Sequence, residues 1–315
     1  MNAAPKSQPQ MFTRRGFLLR AGFGSVSLAV VGKVGLLCPA AEGIALPIVI
    51  FSKAYQPLKL NFEQAAEFTA ESGLDGVDPP VRPDGEIRPE RVAEDLPAYV
   101  EALRKRGLRM PYLTTAITSI ASPKAEVVLR TAKKLGIERY RLGFIYRVND
   151  ASWEQQLREV RAHLRELAAL NKEIGIGAVL QNHSPAGRTY VGGNLDELAQ
   201  IVDGFDAEQL GVAFDIAHAV NVHGPDWRPR FDKLKAHLKV AYVKDANRDK
   251  KFVPLGQGEV GATGYFKLLK QIGYQAPISL HIEYEGGSES QPETRPALLK
   301  AVKESLRVLR QWLAA

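Results

Sequence analysis

The chain has 315 residues, and 42 Lys and Arg residues against 35 Asp and Glu residues give it a formal net charge of +7. The first 41 residues contain five of the basic side chains and none of the acidic ones, so residues 42–315 hold 37 basic and 35 acidic side chains. A segment so close to neutral lacks the basic surface that general nucleic-acid binding requires, and the single cysteine, Cys38, excludes a disulfide within the chain.

The N-terminus has the pattern of an export signal. Residues 13–19 (TRRGFLL) resemble the twin-arginine signal of bacteria, an apolar stretch follows over residues 21–37, and residues 39–41 offer a cleavage site. We therefore expect a signal peptide over residues 1–41 and a mature protein that is periplasmic or extracellular, without stable membrane insertion. An uncleaved N-terminal anchor is the alternative, but the apolar stretch is short and glycine-rich compared with the ~20 apolar residues of a spanning helix.

Apolar segments with strand character alternate with segments of helical periodicity from residue 47 to the C-terminus. The predicted strands cover residues 48–51, 74–78, 108–115, 138–144, 177–181, 210–215, 239–244 and 277–283. The predicted helices cover residues 62–72, 90–106, 124–135, 153–174, 195–202, 230–237, 263–272 and 295–313. Strict alternation of eight strands and eight helices predicts a single (β/α)₈ TIM barrel of the α/β class over residues 42–315, a length close to the ~250 residues typical of this fold.

Four predicted strands in the second half of the chain end in polar side chains. Because TIM-barrel active sites lie at the carboxyl ends of the strands, we expect these side chains to meet at one mouth of the barrel. They are Gln181 with His183, Asp215 with His218, Lys244, and Glu283.

Several segments around these strand ends are similar to those of a known superfamily. They are FDIAH (214–218), VKD (243–245), PLGQGE (254–259), and GY (273–274) followed by PISLHIE (277–283). Together they resemble the xylose-isomerase-like barrels, a superfamily of sugar phosphate isomerases and epimerases. The resemblance covers essentially all of residues 42–315, and it implies the barrel fold and a small-molecule carbohydrate as the partner.

The resemblance also implies one divalent metal, Mn²⁺, Mg²⁺, Co²⁺ or Zn²⁺, held by Glu, Asp, His and Glu at the ends of the fifth to eighth strands. Asp215 and Glu283 match two of these ligands, although Asp215 also suits a carboxylate that caps the next helix. Gln181 stands in place of the first Glu and Tyr242 in place of the His, which removes a negative charge and a good ligand. The sequence therefore leaves open whether a metal is bound, and Gln181 is expected to contact substrate.

The other polar residues at this mouth each have two interpretations. His183 and His218 contact substrate or metal, or they are hydrogen-bonded structural residues. Lys244 stabilises an enolate oxygen in place of the metal, or it forms a salt bridge with a neighbouring carboxylate. Arg141 binds a substrate carboxylate or hydroxyls, and Arg82 contacts substrate from a Pro-rich loop (residues 81–85) that covers the mouth, or both stabilise loops through ion pairs.

Taken together, these residues predict an exported enzyme that abstracts a proton next to the carbonyl of a carbohydrate or keto-sugar, for isomerisation, epimerisation or β-elimination. Glu283 is the expected base, Asp215 a metal ligand or second acid/base, and Lys244 or a metal the oxyanion stabiliser. The alternative is a non-catalytic carbohydrate-binding barrel with a degraded metal site, as the residues at 181 and 242 suggest. An endonuclease for abasic DNA shares this barrel, but it needs more metal ligands and more phosphate-binding charge.

Overall fold

The computed structural model describes residues 46–285 and 291–315, so the predicted signal peptide and Cys38 lie outside the described part of the chain. The strands of this part are β1 (Ile48–Phe51), β2 (Gly76–Asp78), β3 (Pro80–Val81), β4 (Tyr112–Thr115), β5 (Arg139–Arg141), β6 (Gly177–Gln181), β7 (Leu210–Asp215), β8 (Leu238–Val243), β9 (Asp245–Ala246), β10 (Phe252–Val253) and β11 (Ile278–Leu280). Nine of them form one parallel sheet in the order β2-β1-β11-β8-β7-β6-β5-β4-β3, while β9 and β10 form an antiparallel hairpin.

The helices of the described residues are α1 (Phe62–Glu71), α2 (Val92–Arg104), α3 (Ala125–Lys134), α4 (Trp153–Ile174), α5 (Leu195–Val202), α6 (Ile216–His223), α7 (Trp227–Leu234), α8 (Tyr265–Gln271) and α9 (Arg295–Ala314). The observed bounds of α4 and α5 equal the predicted ones because local capping fixes them. The Ser152 hydroxyl accepts the Gln155 N–H at the start of α4, and Gly175 ends that helix with a φ of +78°. Among the described helices, none has the length and apolar character needed to cross a membrane.

A broken second strand closes the barrel and confirms the predicted fold. β2 pairs with β1, and β3 pairs with β4, so the two short strands occupy a single barrel position. The break falls at Pro79, and Pro80 follows it. Because proline has no N–H to donate, this pair interrupts the ladder that residues 76–81 otherwise continue. The nine strands of the sheet thus fill the eight positions of a nearly closed parallel barrel.

Two elements at the barrel mouth differ from the predicted pattern. Helix α6 begins directly after β7, where the pattern indicated a loop, and the carboxylate of Asp215 caps it by accepting the His218 N–H at 3.2 Å. The β9–β10 hairpin lies between β8 and α8, where no strand was predicted. Both elements bring additional side chains to the strand ends.

The interior of the barrel is filled below the strand ends. A small apolar cluster separate from the main core consists of Val49, Tyr112, Val179, Ala213, Val240 and Tyr242. Close to Tyr242, the buried carboxylate of Asp78 accepts hydrogen bonds from Thr114 (2.9 Å) and Ser279 (3.1 Å). Burial raises the pKa of Asp78. A packed interior leaves the strand ends as the accessible polar region of the barrel.

The carboxylate of Asp245 organises the segment between β8 and α8. Its two oxygens accept four backbone hydrogen bonds, from the N–H groups of Ala246 (2.9 Å), Gly256 (2.8 Å), Gly258 (3.0 Å) and Val260 (3.0 Å). Gly258 is needed there because a Cβ atom at this position would lie 2.3 Å from Asp245 Oδ1. The fixed segment holds Phe252 at the strand ends, where its ring centroid lies 4.3 Å from Lys244 Nζ.

We expect Asp245→Asn to lower the free energy of unfolding by about 2–3 kcal/mol, because an amide nitrogen cannot accept the N–H groups that the carboxylate oxygen holds. Urea unfolding followed by circular dichroism measures the change. Asp249→Asn, at an exposed position of the same segment, is the control, with an expected change below about 0.5 kcal/mol. Equal unfolding midpoints for the two variants would show that Asp245 does not organise this segment.

Candidate active site

Two connected chambers lie at the carboxyl ends of the strands. The inner chamber has a volume of about 90 Å³ and the outer one about 530 Å³. They share six wall residues, which are Phe51, Lys53, Phe144, His183, Lys244 and Glu283. A further cavity of about 490 Å³ lies at the opposite, amino end of the strands beside Arg109 and Pro277, and it contains none of the predicted site residues.

A buried ion pair forms the shared wall of the two chambers. The Lys244 ammonium, whose residue is 2% exposed, donates to Glu283 Oε2 at 2.8 Å and lies 3.6 Å from Asp215 Oδ2. Burial opposes the charge on Lys244, but the two carboxylates more than offset it, so the pKa of Lys244 is raised. Burial also opposes the charge on Glu283, yet the Lys244 ammonium holds the pKa of Glu283 well below its usual range. Both groups are therefore charged at neutral pH.

Lys53 is a second cation on Glu283 that the sequence patterns did not indicate. Its ammonium lies 2.9 Å from Glu283 Oε1, on the oxygen that Lys244 leaves free. Lys53 follows β1 just as Lys244 follows β8, so the same strand-end signal was present in the sequence. His281 Nδ1 is 3.6 Å from Glu283 Oε2 and lines the inner chamber.

Asp215 lies behind the chamber wall. The residue is fully buried and lines neither chamber. Its Oδ2 accepts the Gln181 side-chain N–H at 3.2 Å, and the Asn182 amide clamps its backbone with hydrogen bonds of 2.8 and 2.9 Å. Burial raises the pKa of Asp215, although the nearby Lys244 charge opposes this effect. The position of Asp215 suits a counter-ion for Lys244 and a cap for α6.

Hydrogen bonds assign the tautomers of the two histidines. His218 Nδ1 accepts the Ser184 backbone N–H at 3.1 Å, so its Nε2 carries the proton and faces Asp215 Oδ2 at 3.6 Å. His183 Nδ1 donates to the Ser184 carbonyl oxygen at 2.7 Å, which leaves its Nε2 unprotonated at the chamber wall. Burial, reinforced by the Lys244 charge, lowers the pKa of His183 to about 4 and that of His218 well below its usual range.

The two arginines of the predicted site and Tyr242 lie at different depths in the barrel. Arg82 and Arg141 line the inner chamber, with the guanidinium carbon of Arg141 4.7 Å from the Phe144 ring centroid. Tyr242, at the position where the resemblance implies a histidine ligand, belongs to the buried interior cluster and lines neither chamber. Its ring centroid lies 4.6 Å from that of His281. Of the predicted site residues, Asp215, Tyr242 and His218 therefore lie behind the wall, while the others line it.

The donor atoms do not fit a resident divalent metal. The Lys244 ammonium is within 4 Å of both carboxylates that the resemblance makes metal ligands, so a permanent positive charge already neutralises them. Gln181 directs its amide nitrogen, a donor, at Asp215. No cluster of three or more His, Cys, Asp or Glu side chains in residues 46–285 and 291–315 has a metal-binding arrangement. The predicted catalytic and metal-ligand roles of Asp215 and Glu283 thus remain predictions.

The described residues form a parallel barrel with an acid and a cation on the wall of a cavity at its strand ends. A cavity at this place is where such barrels bind small molecules. The family whose description is "Xylose isomerase-like TIM barrel" matches residues 66–312, and the chain belongs to this family. The family expectation from the sequence is confirmed.

Similar proteins of known sequence or structure share this fold. An uncharacterized protein of Methanocaldococcus jannaschii is 28% identical over 119 residues, which are 37% of this chain and only 40% of that relative. The 3-keto-D-glucoside 4-epimerase of E. coli has 15% identity and a TM-score of 0.65, covering 84% of this chain and 99% of its own. The D-psicose 3-epimerase of Clostridium cellulolyticum, solved with D-tagatose, has 13% identity and a TM-score of 0.64, covering 85% and 99%. At these identities the structural similarity establishes the fold.

We expect neither a chelator nor added Mn²⁺ to change the Tm of the protein. In contrast, we expect Mn²⁺ to raise the Tm of the Lys244→Met variant by about 2–4 °C, because removal of the ammonium leaves Asp215 and Glu283 without their shared cation. Differential scanning calorimetry with and without Mn²⁺ measures both effects. A rise in the Tm of the unaltered protein on addition of Mn²⁺ would contradict the fit deduced from the donor atoms.

The depressed pKa of His183 predicts a pH dependence of stability. Unfolded protein takes up a proton on this histidine near pH 6.5, whereas the folded protein does so only near pH 4, so the free energy of unfolding falls as the pH drops between these values. We expect His183→Gln to reduce the slope of the free energy of unfolding against pH. The slope that remains in this variant comes from His218, whose pKa is also lowered. Urea unfolding at a series of pH values measures the slope, and histidine NMR signals that place His183 near pH 6.5 would contradict the prediction.

Proposed function

We propose that the protein is a sugar isomerase- or epimerase-like enzyme that moves a proton next to the carbonyl of a carbohydrate or keto-sugar. The observation that carries the proposal is the Lys244–Glu283 pair, a base and a cation 2.8 Å apart on the wall of both chambers. Abstraction of such a proton generates an enolate, so it needs these two groups side by side. The sugar epimerases among the proteins of the same fold support this reaction class.

In the proposed step, a carboxylate oxygen of Glu283 takes the proton from the carbon next to the carbonyl. The Lys244 ammonium donates to the carbonyl oxygen and stabilises its developing negative charge. Delivery of the proton to the carbonyl carbon, with the adjacent hydroxyl proton passing to the former carbonyl oxygen, gives isomerisation. Delivery of a solvent proton to the opposite face of the same carbon, with release of the first proton from Glu283 to solvent, gives epimerisation. Loss of a β-hydroxyl from the enolate instead gives elimination.

The remaining wall residues bind and orient the substrate. The unprotonated Nε2 of His183 accepts a hydrogen bond from a substrate hydroxyl, and the Gln181 amide oxygen supplies a further acceptor. Asp215 keeps Lys244 in place from behind. The low pKa of Glu283 keeps its carboxylate ionised at neutral pH, and Lys53 contacts the oxygen that Lys244 leaves free.

We further propose that the enzyme acts outside the cytoplasm after export and removal of residues 1–41. The support for this is the TRRGFLL segment with its apolar extension and small-residue site, all of which lie outside the described residues. Pulse labelling of cells, followed by N-terminal sequencing of the exported product, tests this location.

A carbohydrate-binding barrel without catalysis is the second candidate function. The observation that favours it is that both oxygens of Glu283 already contact ammonium groups, as in a structural ion-pair network. Such a protein would bind sugars without exchanging their carbon-bound protons with solvent.

We expect Glu283→Gln to lower the rate of proton exchange between sugar and solvent by about 100-fold or more, because the amide cannot accept the proton. The measurement is NMR detection of deuterium uptake into a panel of ketoses, aldoses and sugar acids in D₂O.

Glu259→Gln is the matched control, since this exposed acid pairs with Arg248 away from both chambers. Exchange at an unchanged rate in Glu283→Gln removes the assigned base. Sugar binding without exchange in the unaltered protein supports the non-catalytic barrel.

A further inference from the structure

Two guanidinium groups line the inner chamber. Arg141 is 4% exposed, and its guanidinium carbon lies 4.7 Å from the ring centroid of Phe144. Arg82, in the loop after β3, lines the same chamber. Within residues 46–285 and 291–315, neither group has a hydrogen bond or a carboxylate at ion-pair distance. The Arg141 charge acts on the carboxylate of Asp78, which already accepts hydrogen bonds from Thr114 and Ser279.

This lack of partners distinguishes the two arginines from others in the protein. Arg230 and Arg106 are more exposed than Arg141, yet they lie 2.8 and 2.7 Å from the carboxylates of Asp196 and Glu63. A buried cation without a counter-ion is costly, and the cost increases when a like charge faces the same space. Burial and the nearby Arg141 charge both lower the pKa of the Arg82 guanidinium, which shows that the two groups share one environment. A ligand with negative charge relieves both effects.

The residues that line each chamber determine how a bound ligand is oriented. Arg82 and Arg141 line only the inner chamber, while Glu283 and Lys244 line both. A molecule bound at the arginines therefore places its next atoms beside the Glu283–Lys244 pair. The rest of the molecule extends into the outer chamber, which is about 530 Å³ and includes Tyr190 in its wall.

We infer that the ligand is a sugar acid, with a carboxylate bound between Arg82 and Arg141 in the inner chamber and its hydroxylated chain extending outward past Glu283. The planar guanidinium group matches a planar carboxylate in a bidentate pair. This inference rests on the proposed function only in that the reacting carbon is the one held beside Glu283.

Three-carbon fragments test the carboxylate site without knowledge of the full substrate. DL-glycerate, glycerol and glycerol 3-phosphate share one skeleton and differ in the group that meets the arginines. Calorimetric titration of the mature protein is expected to show saturable binding of glycerate, roughly tenfold or more tighter than that of glycerol. Arg141→Gln is expected to weaken glycerate binding by roughly tenfold or more, since a charged hydrogen-bonded pair is lost.

Two further variants complete the experiment. Arg188→Gln removes a positive charge whose guanidinium lies over the ring of Tyr146, outside the inner chamber, and it is expected to leave glycerate binding unchanged. Arg82→Gln tests the second guanidinium in case Arg141→Gln lowers the stability, and it is expected to weaken binding in the same direction. The inference is overturned if glycerate does not bind, or if it binds no more tightly than glycerol. It is also overturned if glycerol 3-phosphate binds more tightly than glycerate, or if both arginine variants keep the full affinity for glycerate.

The glycerate titration, combined with the deuterium-exchange measurement on the unaltered protein, separates this inference from the proposed function. Glycerate binding that depends on Arg141, without deuterium exchange into any sugar acid in the unaltered protein, leaves the carboxylate site valid and refutes the enzyme. Deuterium exchange into neutral sugars, without glycerate binding, refutes the carboxylate site and leaves the enzyme valid.

Discussion

The ammonium of Lys244 between the buried carboxylate of Asp215 and the half-buried carboxylate of Glu283 is the constraint on which the barrel mouth depends. An ammonium with 2% exposure is stable only if negative charge surrounds it, and Glu283 and Asp215 supply that charge from two other strand ends. Each carboxylate then needs further donors. Asp215 obtains them from Gln181 and the α6 backbone, and Glu283 obtains them from Lys53. One cation thus determines the placement of most polar groups around it.

The same interaction explains why this member of the family departs from the ligand set that the resemblance implied. An ammonium carries one charge where a divalent metal carries two, so it needs fewer negative ligands to balance it. Gln181 in place of a carboxylate and Tyr242 in place of an imidazole are consistent with that lower charge. The packing also suits an ammonium in place of a metal, because Phe252 covers Lys244 and Asp245 fixes the hairpin that carries Phe252. Residues far apart in the sequence therefore form one arrangement.

Local signals in the sequence were sufficient to predict the bounds of elements whose ends are set by their own residues. β6 and β7 have the predicted bounds, and the salt bridge of Lys244 was one of its two interpretations. The missed features depend on contacts across the barrel. Lys53 meets Glu283 from 230 residues away, and α6 follows β7 without any Gly or Pro to mark the boundary. Strand alternation indicates which side chains point inward, but it does not distinguish Tyr242 in the interior from Lys244 at the surface of the cavity.

The charges at the mouth are unevenly compensated, and this asymmetry shapes the site. The half of the barrel formed by β7, β8 and β11 combines acids with Lys244, so its charges are balanced internally. The half formed by β3 and β5 presents Arg82 and Arg141 to the same chamber, and within residues 46–285 and 291–315 neither guanidinium has a hydrogen bond or a carboxylate at ion-pair distance. In the inferred binding mode, a sugar acid that enters from the outer chamber meets a field that orients its carboxylate toward the arginines before the proposed reaction begins. Orientation by the unbalanced half then places the reacting carbon against the balanced half, where a proton can move without creating a net charge in the buried wall.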